Sequence, residues 1–133
     1  MKFKTVKHIA IAVRDLEPAR ELYSHLLGAA AGEAIEVSDQ KVRVCFLNTG
    51  STKIELIAPL AGNMSLVKFL EKRGEGLHHI CFGVSNIEEE LRRLRAEGVR
   101  LIDETPRVGA EGHKIAFIHP GSTGGLLIEL EEE

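Results

Sequence analysis

The chain has 133 residues, of which 44% are hydrophobic and 28% charged, proportions typical of a globular domain rather than a disordered or fibrous one. Its 17 lysines and arginines against 20 acidic residues give a formal net charge of -3, without the clustered basic surface of a nucleic-acid-binding protein. A chain of this length buries enough surface to fold without a metal, so a metal site would be functional.

The cysteines and the apolar segments of the chain indicate the cellular compartment in which the protein is expected. Cys45 and Cys81 each lie inside an apolar run, which predicts buried thiols rather than a disulfide. The N-terminus carries no signal-peptide pattern, and no apolar stretch is long enough to span a bilayer. The sequence therefore predicts a cytoplasmic protein with neither a membrane nor a nucleic acid as partner. The acidic residues Glu131 to Glu133 predict a solvated tail.

The first half of the chain predicts a strand, a helix and three more strands. Residues 8–13 are an apolar, branched run typical of a buried strand. A helix is predicted from the N-cap candidate Asp15 to Gly28, with an apolar stripe that we expect to face the core. The stripe comprises Leu16, Ala19, Leu22, Tyr23, Leu26 and Leu27. Strands are predicted at 34–37, 42–48 and 53–57, then a short helix at 65–72 and a glycine-bearing linker at 73–76.

The same order begins again after the linker. Residues 77–84 repeat the first strand, a helix runs from Asn86 to Gly98, and strands are predicted at 99–101, 115–119 and at the C-terminal end. His79 lies 71 positions after His8, and the same offset relates Phe117 to Phe46. After a three-residue insertion the offset becomes 74, which relates Glu129 to Glu55.

This duplication predicts the fold. Two strand-helix-three-strand modules, about 1–72 and about 76–133, are expected to pair about a pseudo-twofold axis as one domain, 1–133. The predicted class is α+β, with curved mixed sheets, mostly of antiparallel strands, enclosing a cleft.

The duplication also brings together residues that bind metals. Each module has a histidine in its first strand, His8 or His79, and a glutamate in its last, Glu55 or Glu129. Each glutamate interrupts an apolar strand, where a buried carboxylate is costly unless it is paired or metal-bound. A single histidine at a strand edge is more often a structural residue than a ligand, and a single glutamate in a strand usually faces water. The four residues together, repeated in both modules, predict a divalent-metal site with open positions for substrate oxygens.

The remaining histidines have simpler interpretations. His78 alternates to the strand face opposite His79, and His25 is expected on the surface. His113 and His119 flank a strand, and His119 precedes a proline in a turn pattern, although it could also lie at the mouth of the cleft.

Several passages together resemble the methylmalonyl-CoA epimerases of the vicinal oxygen chelate (glyoxalase/bleomycin resistance/dioxygenase-like) superfamily over nearly the whole chain. These passages are Val6-Lys-His-Ile-Ala-Ile-Ala-Val, Ile54-Glu-Leu-Ile-Ala-Pro-Leu, Phe69-Leu-Glu-Lys-Arg-Gly-Glu-Gly-Leu-His-His-Ile, Phe117-Ile-His-Pro and Gly125-Leu-Leu-Ile-Glu-Leu.

The resemblance implies a metal held by His8, Glu55, His79 and Glu129, with cobalt expected ahead of zinc, nickel or manganese. It also implies a homodimeric isomerase that interconverts (2R)- and (2S)-methylmalonyl-CoA by proton abstraction through an enolate. Glu129 is expected as one catalytic group, and no cofactor other than the metal is implied.

The sequence departs from the family at the second catalytic group. Some bacterial members have a glutamate where this chain has Val44, or Arg43 if the alignment slips by one, so Glu55 or a water is expected in that role. Contacts to the CoA portion are not fixed by spacing, and Lys68, Lys72 and Arg107 could supply them or lie on a solvated surface.

Two other functions fit the same pattern. A glyoxalase I-type lactoylglutathione lyase shares the ligand set, but its usual Asp-Pro-Asp-Gly-like turn is replaced here by His119-Pro-Gly-Ser. A metal-free protein that binds small ligands would need an aromatic or apolar cleft, which 5 Phe, one Tyr and no Trp make a poorer fit.

Overall fold

The structure, a computed structural model, describes residues 3–133. Within these residues the chain forms strands and helices in the following order: β1 Phe3–Ala12, α1 Leu16–Leu27, β2 Ile35–Val37, β3 Val42–Asn48, β4 Lys53–Pro59, α2 Met64–Arg73, β5 Gly76–Val84, α3 Ile87–Ala96, β6 Arg107–Val108, β7 Lys114–Ile118, a 3-10 turn Pro120–Ser122, and β8 Leu127–Glu132.

The chain divides into two compact units. One unit is Ile9–His78, and the other contains the described residues up to His8 together with His79–Glu133. The division falls inside β1 and inside β5, so each of these strands contributes residues to both units.

The unit formed by Ile9–His78 has the strand order β2, β3, β4 and then the second part of β1. Strands β2 and β3, and β3 and β4, are antiparallel. Alternate residues of β3 and β4 pack against α1 because successive side chains of a strand point to opposite faces. The core of this unit includes Cys45, Leu47 and Leu56 from the strands and Leu16 and Ala19 from α1.

The other unit has the order β1, β5, β8, β7 and β6. Strand β8 is parallel to β5 and antiparallel to β7, which confirms a mixed sheet of the α+β class. Leu130 and Ala116 pack with Ile87 and Leu91 of α3 in its core. Glu129 and Phe117 therefore lie on the sheet face opposite the helix.

The sequence repeat is reproduced in the strand register of each unit. Phe46 lies opposite Glu55 in one unit, and its equivalent Phe117 lies opposite Glu129 in the other. Two pairs further along, Val44 lies opposite Ile57, and Ile115 lies opposite Glu131. Ile57 and Glu131 are therefore equivalent positions with different chemistry.

Helix α1 is only partly a core helix. Leu16 and Ala19 are buried as predicted, but Leu22, Leu26 and Leu27 are 53%, 64% and 46% exposed. The predicted core stripe is thus wrong for these three leucines, whereas Tyr23 packs against the core as predicted. The reason is geometric, because the core beneath α1 is reached by Leu16, Ala19 and Tyr23, and the remaining leucines lie to the side of that contact or beyond it.

Two expectations are wrong in the unit that contains His79–Glu133. The strand predicted at 99–101 is reduced to a single bridge between Leu101 and Ile118, and Arg107–Val108 pairs with β7 instead. The acidic segment is not a solvated tail, because β8 runs to Glu132 and the Glu131 side chain is buried. Glu132 Oε2 accepts a hydrogen bond from the Ile87 N–H at the start of α3.

Among residues 3–133, no helix combines the length and apolar character that crossing a bilayer requires.

Replacing Asn86 with alanine is expected to lower the free energy of unfolding by about 1 kcal/mol, because the Asn86 side chain accepts the Glu89 N–H at the start of α3. Asp15→Ala is the matched control, since Asp15 occupies the same position before α1 but makes no side-chain cap hydrogen bond. Denaturant unfolding of the two variants measures the difference. Equal losses of stability would contradict the role of the Asn86 cap.

Candidate metal centre

Three of the four predicted ligands meet on one face of one unit. His8 comes from β1, His79 from β5 and Glu129 from β8, all within the unit that contains β7 and α3. The neighbours of Glu129 along β8, Ile128 and Leu130, pack toward α3. Strand alternation therefore directs the Glu129 carboxylate to the opposite face.

The donor atoms of these side chains form a small triangle. His8 Nε2 lies 2.9 Å from Glu129 Oε1, and His79 Nε2 lies 3.0 Å from the same oxygen. The two imidazole Nε2 atoms are 3.2 Å apart. All three side chains are buried, and the His79 ring also has an edge contact with Phe117 at 5.5 Å between centroids.

The electrostatics of the triangle favour an ionised carboxylate. Burial of Glu129 opposes its charged form, but hydrogen bonds from His79 and His8 outweigh this effect and lower its pKa to about 2. Glu129 therefore carries a negative charge over the physiological pH range. A buried anion held by two imidazoles is what a divalent cation requires of its ligands.

The triangle also fits a metal ion by size. Neighbouring ligands about 2.1 Å from an octahedral ion are separated by roughly 3.0 Å, whereas a tetrahedral ion would place them at roughly 3.4 Å. The separations of 2.9, 3.0 and 3.2 Å are in the range that lets one ion contact all three donors. Two imidazoles and a carboxylate suit zinc, cobalt, nickel, manganese or iron and leave further positions for oxygen ligands.

The fourth predicted ligand, Glu55, belongs to the other unit. Its neighbours Ile54 and Leu56 pack with the core beneath α1, so the Glu55 side chain points to the face of its own sheet opposite that helix. It is buried there, 6% exposed, opposite Phe46. Its position within its unit thus parallels that of Glu129.

A second group of buried donors beside His8 was not predicted. Ligand atoms of His8, Cys81 and Glu131 all lie within 4.8 Å of one another. The sequence contains a signal for this group, because the equivalent positions in the first module are the apolar Ala10 and Ile57. The acidic run at the chain end obscured it by suggesting a solvated tail.

The remaining histidines lie outside the triangle. His78 packs edge-on against Phe69, with 4.9 Å between ring centroids, and His25 is exposed. His119 Nδ1 accepts the Gly121 N–H in the turn before β8, as its turn pattern predicts. His113 Nδ1 lies 3.2 Å from Glu131 Oε2.

The positions expected to differ from the family carry no carboxylate. Val44 is buried, and Arg43 pairs with Glu17 at 3.5 Å. Of the basic residues considered for CoA binding, Lys68 and Lys72 are exposed on α2, and Arg107 pairs with Asp103 at 3.1 Å.

Comparison with known proteins agrees with this geometry. Residues 7–117 match the pattern of the Glyoxalase/Bleomycin resistance protein/Dioxygenase superfamily. The bovine mitochondrial methylmalonyl-CoA epimerase is 40% identical over 96% of this chain and 73% of its own length. The ethylmalonyl-CoA/methylmalonyl-CoA epimerase of Cereibacter sphaeroides is also 40% identical, over 96% of both chains.

Solved structures give the same result. The crystal structure of methylmalonyl-CoA epimerase from Mycobacterium tuberculosis is 40% identical, with a TM-score of 0.93 over 98% of this chain and 89% of that chain. The resemblance and the α+β fold predicted from the sequence are thereby confirmed. The chain belongs to the Glyoxalase/Bleomycin resistance protein/Dioxygenase superfamily and, within it, to the methylmalonyl-CoA epimerase family.

Proposed function

We propose that this protein is a metal-dependent isomerase that interconverts (2R)- and (2S)-methylmalonyl-CoA. The observation that carries the proposal is the convergence of His8, His79 and Glu129 on one buried point in a chain 40% identical to named epimerases. The substrate class is a malonyl-type acyl-CoA, in which a methine carbon lies between a thioester and a carboxylate.

We propose His8, His79, Glu129 and Glu55 as the ligands of the metal. For the first three, the support is the triangle of donor atoms. For Glu55, the support is its equivalence to Glu129 in the repeat and the burial of its carboxylate. When bound, the ion supplies Lewis-acid chemistry that makes the methine proton more acidic.

The proton transfers are proposed for the glutamates of the chain. Glu129 is ionised, so it can accept the methine proton, leaving an electron pair that delocalises onto the thioester oxygen as an enolate. The methine carbon is a far weaker acid than a carboxylic acid, which is why it must be made more acidic for the transfer to a carboxylate to occur. Return of a proton to the opposite face inverts the carbon, and we propose Glu55, acting through a solvent water that supplies the proton, for this step because Val44 carries no carboxylate.

The metal identity and the oligomeric state are further parts of the proposal. Nitrogen and oxygen donors accept several divalent ions, and we propose cobalt, which the family resemblance favours. We also propose a homodimer on the same basis, which light scattering coupled to size-exclusion chromatography would test. The cytoplasmic location stays a prediction.

The proposed substrate is tested by comparing two reactions of the cobalt-loaded protein. Turnover of (2S)-methylmalonyl-CoA is expected to have a kcat/KM at least roughly 100-fold above that for the hemithioacetal of methylglyoxal and glutathione. Stereospecific detection of the product epimer and lactoylglutathione absorbance provide the two readouts. The reverse preference would indicate a glyoxalase I-type lyase, and inactivity with both substrates in a protein that binds no metal would favour a ligand-binding role.

The proposed ligands are tested by equilibrium dialysis with cobalt. His79→Ala is expected to weaken cobalt binding by roughly 100-fold or more, because one of three converging donors is lost. His78→Ala is the matched control, since the neighbouring imidazole packs against Phe69 and is outside the triangle. Cobalt at about 100 times its Kd should stabilise the wild type by about 2.7 kcal/mol in denaturant unfolding. Equal cobalt affinity in both variants would contradict the assignment.

A further inference from the structure

The proposed reaction leaves one buried carboxylate without a role. Glu131 is 4% exposed, and its Oε2 atom lies 3.2 Å from His113 Nδ1. Its Oε1 atom is buried and has no hydrogen-bond partner within residues 3–133. An oxygen in this state costs folding free energy unless something binds to it.

Two further donors lie next to this carboxylate. Donor atoms of His8, Cys81 and Glu131 are within 4.8 Å of one another, and all three residues are buried. Cys81 and His79 are two residues apart on β5, and Glu131 and Glu129 are two residues apart on β8. Since strand side chains alternate with period two, both pairs face the same side of the sheet. The second group thus lies two residues further along β5 and β8 than the first group, and His8 belongs to both groups.

The repeat shows that a sheet of this kind does not need polar residues at these positions. Cys81 is equivalent to Ala10 and Glu131 to Ile57, and both of these apolar residues are buried in the other unit. Alanine and isoleucine are therefore sufficient to fill these two positions of the sheet face in the first module. The second module instead places a thiol and a carboxylate beside an imidazole.

We propose that His8, Cys81 and Glu131 form a second cation site, specific for a thiophilic divalent ion of the zinc and cadmium class. Sulfur is a soft ligand that selects such ions over manganese, whereas the first group offers only nitrogen and oxygen. The thiol proton leaves to solvent as the sulfur-metal bond forms. His113, half exposed and in contact with Glu131, connects the group with the surface.

Sharing His8 has a consequence for the proposed metal centre. A neutral imidazole has one nitrogen that can accept a metal, because the other carries the proton. An ion held by His8, Cys81 and Glu131 and an ion held by His8, His79 and Glu129 therefore compete for the same ring. This consequence, unlike the site itself, rests on the proposed function, and it predicts that excess cadmium lowers the cobalt content of the wild type more than that of Cys81→Ala.

The test uses metal-free protein without substrate and cadmium as the probe. Cadmium bound to a thiolate gives an ultraviolet sulfur-to-metal charge-transfer band, which a nitrogen-oxygen site cannot produce. The band is expected in the wild type and in His79→Ala, which retains the second group but loses the first. It should be absent in Cys81→Ala, and in Glu131→Gln the cadmium affinity should fall at least tenfold.

Cys45 provides the matched control. It is the other buried cysteine of the chain, but it packs in the apolar core beneath α1 and not beside His8 and Glu131, so Cys45→Ala should keep the band. Circular dichroism tests whether Cys81→Ala folds, and alanine is the residue of the equivalent position 10. No band in the wild type, or a band that survives in Cys81→Ala or disappears in Cys45→Ala, would overturn the second site. Failure of epimerase activity would leave the cadmium result unchanged, so the two proposals fail independently.

Discussion

The site depends on one buried negative charge. Glu129 lies in the interior of a sheet face, where a carboxylate is unfavourable, and hydrogen bonds from His79 and His8 keep it ionised with a pKa of about 2. Removing either imidazole would leave a buried charge poorly compensated. The strands β1, β5 and β8, which follow one another in the sheet, hold these three side chains.

Duplication explains how such a site arises from ordinary strands. Each unit packs one face of its sheet against a helix and leaves a second face, on which a glutamate of the last strand faces a phenylalanine of the preceding one. The two copies then diverge in chemistry. Ala10 and Ile57 in one copy correspond to Cys81 and Glu131 in the other, and only the second copy therefore places a thiol and a further carboxylate beside His8.

Much of this was predictable from the sequence, and the exceptions have physical causes. The repeat offsets of 71 and 74 residues identified His8, His79 and Glu129, because a repeat relates equivalent positions in the two modules and does not depend on secondary-structure propensity. The exposed leucines of α1 were not predictable, since helical periodicity shows which residues share a face and not how far the sheet beneath extends. Glu131 was misread because composition at a chain end resembles a tail, whereas β8 carries it into the interior.

The central claim, metal-assisted removal of the methine proton by Glu129 and return of a proton to the opposite face of the carbon, is tested most directly by NMR of methylmalonyl-CoA in deuterium oxide. The account predicts that the cobalt-loaded protein incorporates deuterium at the methine carbon while the epimers interconvert. Chelation should stop the exchange, cobalt should restore it, and Glu129→Gln should slow it by about 100-fold to 10,000-fold. Undiminished exchange in Glu129→Gln, or no exchange with any divalent metal, would contradict the account.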